Sequence, residues 1–254
     1  STIEQKIELI EMAGIDVLLI IPFTQEFAKT TAEHFVADLL VKRIGVQELV
    51  VGYDYAFGKG RRGNIDFLKE QGKIFGFPVA VIEAHYERDE LVSSSRIRQL
   101  VSEGRMVETR SLLGRPYQIR GTVQVGKQRG GKEIGFPTAN LRLDEEDLVP
   151  KHGVYVTQVI CDGKCFGGIL NIGYNPTFDE EQLVAEKNIF DFNRDIYGRP
   201  IKVNLLKFLR SEHKYPGAKE LSEQIVKDVV KAKEVLAMQQ KELTMSWTER
   251  LNQE

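Results

Sequence analysis

The chain has 254 residues, 42% of them hydrophobic and 28% charged, with a formal net charge of −2. That is enough for one large globular domain or two ordinary ones. The balanced charge argues against a broad nucleic-acid surface, and the longest apolar run, Val17 to Ile21, is far short of the roughly 20 residues a membrane span needs. A cytoplasmic protein with no nucleic-acid and no membrane partner is expected.

The first half alternates helix and strand signals. Thr2 and Gln5 fit a capping box before a helix lined by Ile3, Ile7 and Ile10, with Gly14 at its end. Val17 to Ile21 is apolar on both faces, as a buried parallel strand requires. Thr30 and Glu33 suggest a second capping box, before a helix carrying Phe35, Val36, Leu39 and Leu40. Leu49 to Val51 and Val79 to Ile82 are further strands, and Asn64 is placed to cap the helix between them. Two short helices follow, about Ser95 to Ser102 and Met106 to Leu113. This order predicts a doubly wound α/β domain over residues 1–113. Three parallel strands are few for such a sheet, so a further strand and helix are expected ahead of Ser1.

Beyond Gly114 strands follow strands: Tyr117 to Val125, Gly153 to Cys161, Phe166 to Asn171, Lys187 to Phe192 and Ile201 to Leu209. The turn chemistry between them, such as Asp162-Gly163, predicts an antiparallel β-barrel over residues 114–254. A helix from about Ala218 to Gln240 carries Leu221, Ile225, Val229, Ala232 and Leu236 on one stripe that should pack on the barrel. The polar end beyond Met245 should fray. Cys161 and Cys165 flank the Asp162-Gly163 turn. Their spacing is compatible with a disulfide, but two reduced thiols of a cytosolic protein are expected. The four histidines have no metal-ligand spacing.

Three segments carry chemistry. In Gly52 to Gly63, four glycines with Lys59, Arg61 and Arg62 are either a solvated turn or a loop that approaches phosphate oxygens. Ser93-Ser94-Ser95-Arg96-Ile97-Arg98 is either an ordinary helix cap or a cap that also receives an anion. The third runs from Gly126 through Lys132 into GFPTAN, Gly135 to Asn140. Thr138 and Asn140 share a side of an extended segment and can bind a hard cation, or bond their own backbone as a polar turn. Further on, Glu186 is a carboxylate able to orient or deprotonate a hydroxyl, or a plain surface strand glutamate.

GFPTAN, NIGYNPTF (Asn171 to Phe178), the Glu186 strand, DFNRDIYG and LRSEHKYPG (Leu209 to Gly217) occur in the order found in riboflavin kinases, which this half resembles. GYDYAFGKGRRG and SSSRIR are similar to segments of the adenylyltransferase domain of bacterial bifunctional riboflavin kinase/FAD synthetases, Ser95 standing in the Thr position of SSTxIR. The resemblance implies a Rossmann-like nucleotidyltransferase domain, incomplete here, followed by a riboflavin kinase β-barrel with a C-terminal helix. It implies riboflavin, FMN and ATP as partners, with Mg²⁺ accompanying ATP. It implies Thr138 and Asn140 at Mg-ATP, Glu186 as base with Asp191 as the alternative, and a flavin-covering loop near Arg210. Gly126 and Lys132 belong with the kinase phosphates. Ser93, Ser94, Ser95, Arg96 and Arg98 belong with ATP, and Gly58 and Arg61 lie near the flavin nucleotide.

Two departures qualify this. Asn188 stands where many relatives have His, which should be tolerated. The family's GxFDGxHxGH segment is not among these 254 residues, so FMN adenylylation is expected of a longer protein that supplies it. The alternative to an enzyme is a non-catalytic flavin- or nucleotide-binding module.

Overall fold

A computed structural model describes residues 2–124, 139–143, 148–174, 183–190, 192, 194 and 196–251, with backbone alone at 139, 140, 142, 143, 174, 183–188 and 241–251. The chain divides into two compact units, Ile7–Val92 and Ser1–Lys6 with Ser93–Glu254.

Helix α1 (Ile3–Met12) opens with half of the expected capping box. Thr2 Oγ1 accepts from the Gln5 N–H at 3.4 Å, while the Gln5 side chain donates to the Gln118 carbonyl at 3.4 Å.

In the first unit, α2 spans Ala32–His34 and winds on in wider turns over Phe35–Ile44. Its cap is Thr31, whose Oγ1 accepts from the His34 N–H at 3.2 Å, and not the expected Thr30. Thr30 is engaged through its backbone: its N–H closes the preceding turn on Phe27, and its carbonyl accepts from the Lys59 N–H at 2.7 Å. Strands β1 (Leu49–Gly52) and β2 (Val79–Ile82) pair in parallel, joined through α3 (Ile65–Phe75), which Asn64 caps as expected. Val36, Leu40, Val51, Phe57, Leu68 and Phe77 form the core of this unit. A two-residue ladder, β3 (Tyr86–Glu87) with β4 (Glu90–Leu91), was not expected.

The segment Val17 to Ile21 is a correction. It is irregular, with Val17 82% and Leu19 59% exposed. A parallel strand exists only through ladder bonds to a neighbour, and the described parallel sheet of this unit holds β1 and β2 alone. An apolar run without a ladder partner has no reason to stay extended.

The second unit begins with α4 (Ser94–Glu103) and α5 (Met106–Leu113). Val101 and Met106, at most 1% exposed, belong to the same core as the strands that follow. Six antiparallel strands come next: β5 (Tyr117–Gln124), β6 (Ala139–Leu143), β7 (Gly153–Cys161), β8 (Lys164–Tyr174), β9 (Leu183–Ile189) and β10 (Pro200–Arg210). They form a closed barrel in the order β10-β5-β6-β9-β8-β7. Its interior holds Ile119, Val123, Leu141, Tyr155, Val159, Leu170, Ile172 and Val203. The expected β7–β8 turn is present: Cys161 pairs with Lys164, leaving Asp162 (φ 49°) and Gly163 (φ 73°) as the two left-handed residues of a tight hairpin.

Helix α6 (Ala218–Leu251) lays Ile225, Val229, Ala232 and Leu236 against Val154, Val156, Ile169 and Leu206 on the outside of the barrel. The stripe is the one expected, but the helix continues to Leu251 where a fraying end was anticipated. No Gly or Pro interrupts Ala218 to Leu251, and the extra turns are rich in good helix formers.

Candidate active site

Strand alternation sorts the barrel residues. Val123, Leu141 and Ile172 face the interior, so their neighbours Gln124, Asn140 and Asn171 fall on the outer face. Register then links them across strands. Gln124 pairs with Asn140, Asn140 with Glu186, Glu186 with Asn171, Asn171 with Val154, and Val154 with Arg210. One outer row thus crosses all six strands, and four polar residues stand consecutively in it.

Beyond β10 the chain comes back against β8 at Asn171 and Gly173. Glu212 Oε1 accepts from Asn171 Nδ2 at 3.1 Å. The Glu212 carboxylate lies where a Cβ on Gly173 would be, so only glycine there lets it approach β8. The Asn171 Oδ1 is buried and has no hydrogen-bond partner among the described residues.

Arg210 anchors the start of this return. Its Nε donates to Asp228 Oδ2 at 2.9 Å and Oδ1 at 3.2 Å, its Nη2 to Oδ2 at 2.8 Å, and its Nη1 to the Ser211 carbonyl at 3.2 Å. Asp228, 2% exposed on α6, also accepts from Gln224 Nε2 at 2.9 Å. The guanidinium is therefore held on α6 through a two-pronged, charge-assisted contact.

The remaining expected residues are distributed as follows. Ser93 Oγ accepts from the Arg96 N–H at 3.3 Å, which is a helix cap. Ser94, Ser95 and Arg98 are exposed at the start of α4, and Arg96 Nη1 donates to Gln99 Oε1 at 3.1 Å. In the other unit, Gly58 has φ 72° and its Cα faces the Ala32 backbone so closely that a Cβ would overlap it. Phe57 and Gly63 bridge the base of the loop, and Lys59, Arg61 and Arg62 are exposed around it. The Ser93–Arg98 segment and the glycine loop belong to different units. Gly126, Lys132, Thr138 and Asp191 lie outside the described residues.

Sequence reasoning had singled out Asn140 and Glu186 but not their pairing, and it had not seen the Asn171–Glu212 contact or Asp228. Asp228 did leave a signal: it is a charge on the apolar stripe of α6, three residues from Ile225 and four from Ala232.

Comparisons with known proteins match both halves of the chain. A riboflavin kinase family model matches residues 113–236 and an FAD synthetase family model matches residues 1–96. The bifunctional riboflavin kinase/FMN adenylyltransferase of Bacillus subtilis is 40% identical over 233 residues, covering 90% of this chain and 72% of the relative. The chain belongs to the bifunctional riboflavin kinase/FMN adenylyltransferase family. The Escherichia coli member is 35% identical, covering 94% of this chain and 76% of its own length. The crystal structure of a macrolide-efflux protein from Streptococcus pneumoniae is also similar, with 33% identity and a TM-score of 0.83 over 91% of this chain and 74% of that one. Among the described residues of this family member, no helix is long and apolar enough to cross a membrane.

Proposed function

We propose that residues 114–254 transfer the terminal phosphoryl group of ATP to the 5′-hydroxyl of riboflavin, giving FMN, and that residues 1–113 serve the adenylylation of FMN to FAD. The observation that carries the kinase reading is the polar row Gln124–Asn140–Glu186–Asn171 within the riboflavin kinase match. It brings the end of GFPTAN opposite the strand of the carboxylate, although 46 residues separate Asn140 from Glu186 in the chain (186 − 140).

Phosphoryl transfer needs positioning and charge neutralisation more than covalent help from the protein. Glu186 accepts the proton of the ribityl hydroxyl as the new O–P bond forms and the bond to the leaving ADP oxygen breaks. Gly126 and Lys132 cover the phosphates. Arg210, through Asp228, holds the chain that comes back against β8.

The donor chemistry fits Mg²⁺. Among the described residues no group of three or more His, Cys, Asp or Glu side chains could hold a metal. A cation here would take hard oxygens from Thr138 and Asn140, with phosphate oxygens and water completing its shell. When bound, Mg²⁺ offsets negative charge on the phosphates. In the adenylyltransferase half, Ser93, Ser94, Ser95, Arg96 and Arg98 bind ATP phosphates, and Gly58 and Arg61 border the flavin nucleotide.

The test is incubation with riboflavin, ATP and Mg²⁺, with flavins separated by chromatography. FMN is the expected product, and FAD following FMN supports both activities. A chain that binds flavin and yields neither product is a binding module, which would overturn the reading.

A further inference from the structure

We infer that Asn171 is a substrate-binding residue of the kinase site, reading a non-reacting hydroxyl of the acceptor's polyol chain, and that Glu212 is the positioning residue that makes it do so. This rests on the kinase reading above.

The geometry has three parts. Asn171 sits in the same row as Glu186, as its direct partner across β8 and β9. Its Nδ2 donates to Glu212 Oε1 at 3.1 Å. Its Oδ1 is buried with no partner among the described residues, an arrangement that costs free energy unless some donor meets it.

Glu212 removes the amide's ambiguity. A free asparagine can rotate to present either its carbonyl or its amino group. A carboxylate accepts and cannot donate, so it pins the amino group, and the carbonyl must face the other way. Gly173 is the device that permits this, because any side chain there would occupy the place of the Glu212 carboxylate.

The chemistry then selects the ligand. An amide carbonyl beside a carboxylate offers nothing to a phosphate oxygen, which is itself an acceptor and negatively charged. It suits a neutral hydroxyl, which donates. A sugar-alcohol chain next to the reacting hydroxyl supplies such donors. A site built to bond a hydroxyl rejects the analogue lacking it, because its own buried polar group is left unpaired.

The test compares riboflavin with analogues that each lack one non-reacting ribityl hydroxyl, all retaining the terminal hydroxyl that is phosphorylated. Asn171→Ala should lower kcat/KM for riboflavin by about tenfold or more. With one of the analogues the same substitution should change kcat/KM by less than about twofold, since the bond is already absent. Glu212→Ala should reproduce that pattern, and Glu212→Gln, which keeps an acceptor oxygen for Asn171 Nδ2, should restore most of the loss. A purely structural role would depress riboflavin and every analogue alike. Equal losses across all acceptors, no loss with riboflavin, or a changed metal-ion requirement without discrimination among analogues would each overturn the inference. If Asn171→Ala loses its cooperative unfolding transition, Glu212→Ala carries the same comparison with Asn171 in place. Wild-type chain that makes no FMN overturns the kinase reading itself, which separates the two failures.

Discussion

Asn140 and Glu186 are register partners across β6 and β9. Opposed residues on antiparallel strands have Cβ atoms about 5 Å apart. The last residue of GFPTAN and the proposed base are therefore neighbours in one row, fixed by backbone hydrogen bonds and not by a loop.

The first expectation concerns that row. Glu186→Gln keeps size and hydrogen bonding but cannot take a proton. FMN formation should fall by at least about 100-fold, the scale of a lost general base. ATP affinity, measured by calorimetry, should stay within about twofold. A variant with wild-type turnover would remove Glu186 from the role proposed for it.

A second expectation concerns the anchor on α6. Asp228→Ala strips the two-pronged partner from Arg210 and leaves a guanidinium facing the helix packing. Breaking a buried ion pair from one side costs about 3 kcal/mol. Urea unfolding should show the midpoint shifted down at an unchanged slope. A loss below about 0.5 kcal/mol would mean the pair is no more than a surface contact.

The barrel interior offers a change in the opposite direction. Thr157 on β7 is fully buried and its Oγ1 has no partner among the described residues. Thr157→Val exchanges an unpaired hydroxyl for a methyl of nearly the same shape. Stability should rise by about 1 kcal/mol, read as a higher Tm by calorimetry. A decrease would indicate that the hydroxyl is bonded after all.

The two thiols should differ in reactivity. Both are reduced, with Cys161 buried and Cys165 exposed on the next strand of the hairpin. Under native conditions a chromogenic disulfide reagent should titrate one thiol, and a second after unfolding. Partial burial pushes the Cys165 thiol above its ordinary range, so its labelling should accelerate as pH rises, since the thiolate is what reacts. Two thiols titrating at equal rates in the native protein would contradict the hairpin register.

Much of the architecture was legible because it is local. Successive apolar-rich runs mark β7 and β10, the Asp162-Gly163 pair marks the hairpin that joins β7 to β8, and Asn64 and Ser93 announce helix starts through bonds only three residues long. Two segments show where locality ends. Val17 to Ile21 has the composition of a strand and forms none, while β6, with the sequence Ala-Asn-Leu-Arg-Leu, has little strand propensity and is one. β6 exists because β5 and β9 bond it on both sides and Leu141 fills the interior. Ladder bonds come from neighbours, and composition cannot supply them.

The chain's order of residues was by itself enough to establish the α/β beginning, the antiparallel continuation, the apolar stripe of α6 and the two motifs that hold Asn140 and Glu186. Tertiary structure alone decided that these two are register partners, that α4 and α5 pack with the barrel, and that Glu212 closes on Asn171. The reason is physical. Caps, turns and periodicity are short-range effects written into neighbouring residues, whereas strand register and the approach of Glu212 to Gly173 depend on how distant segments close on one another.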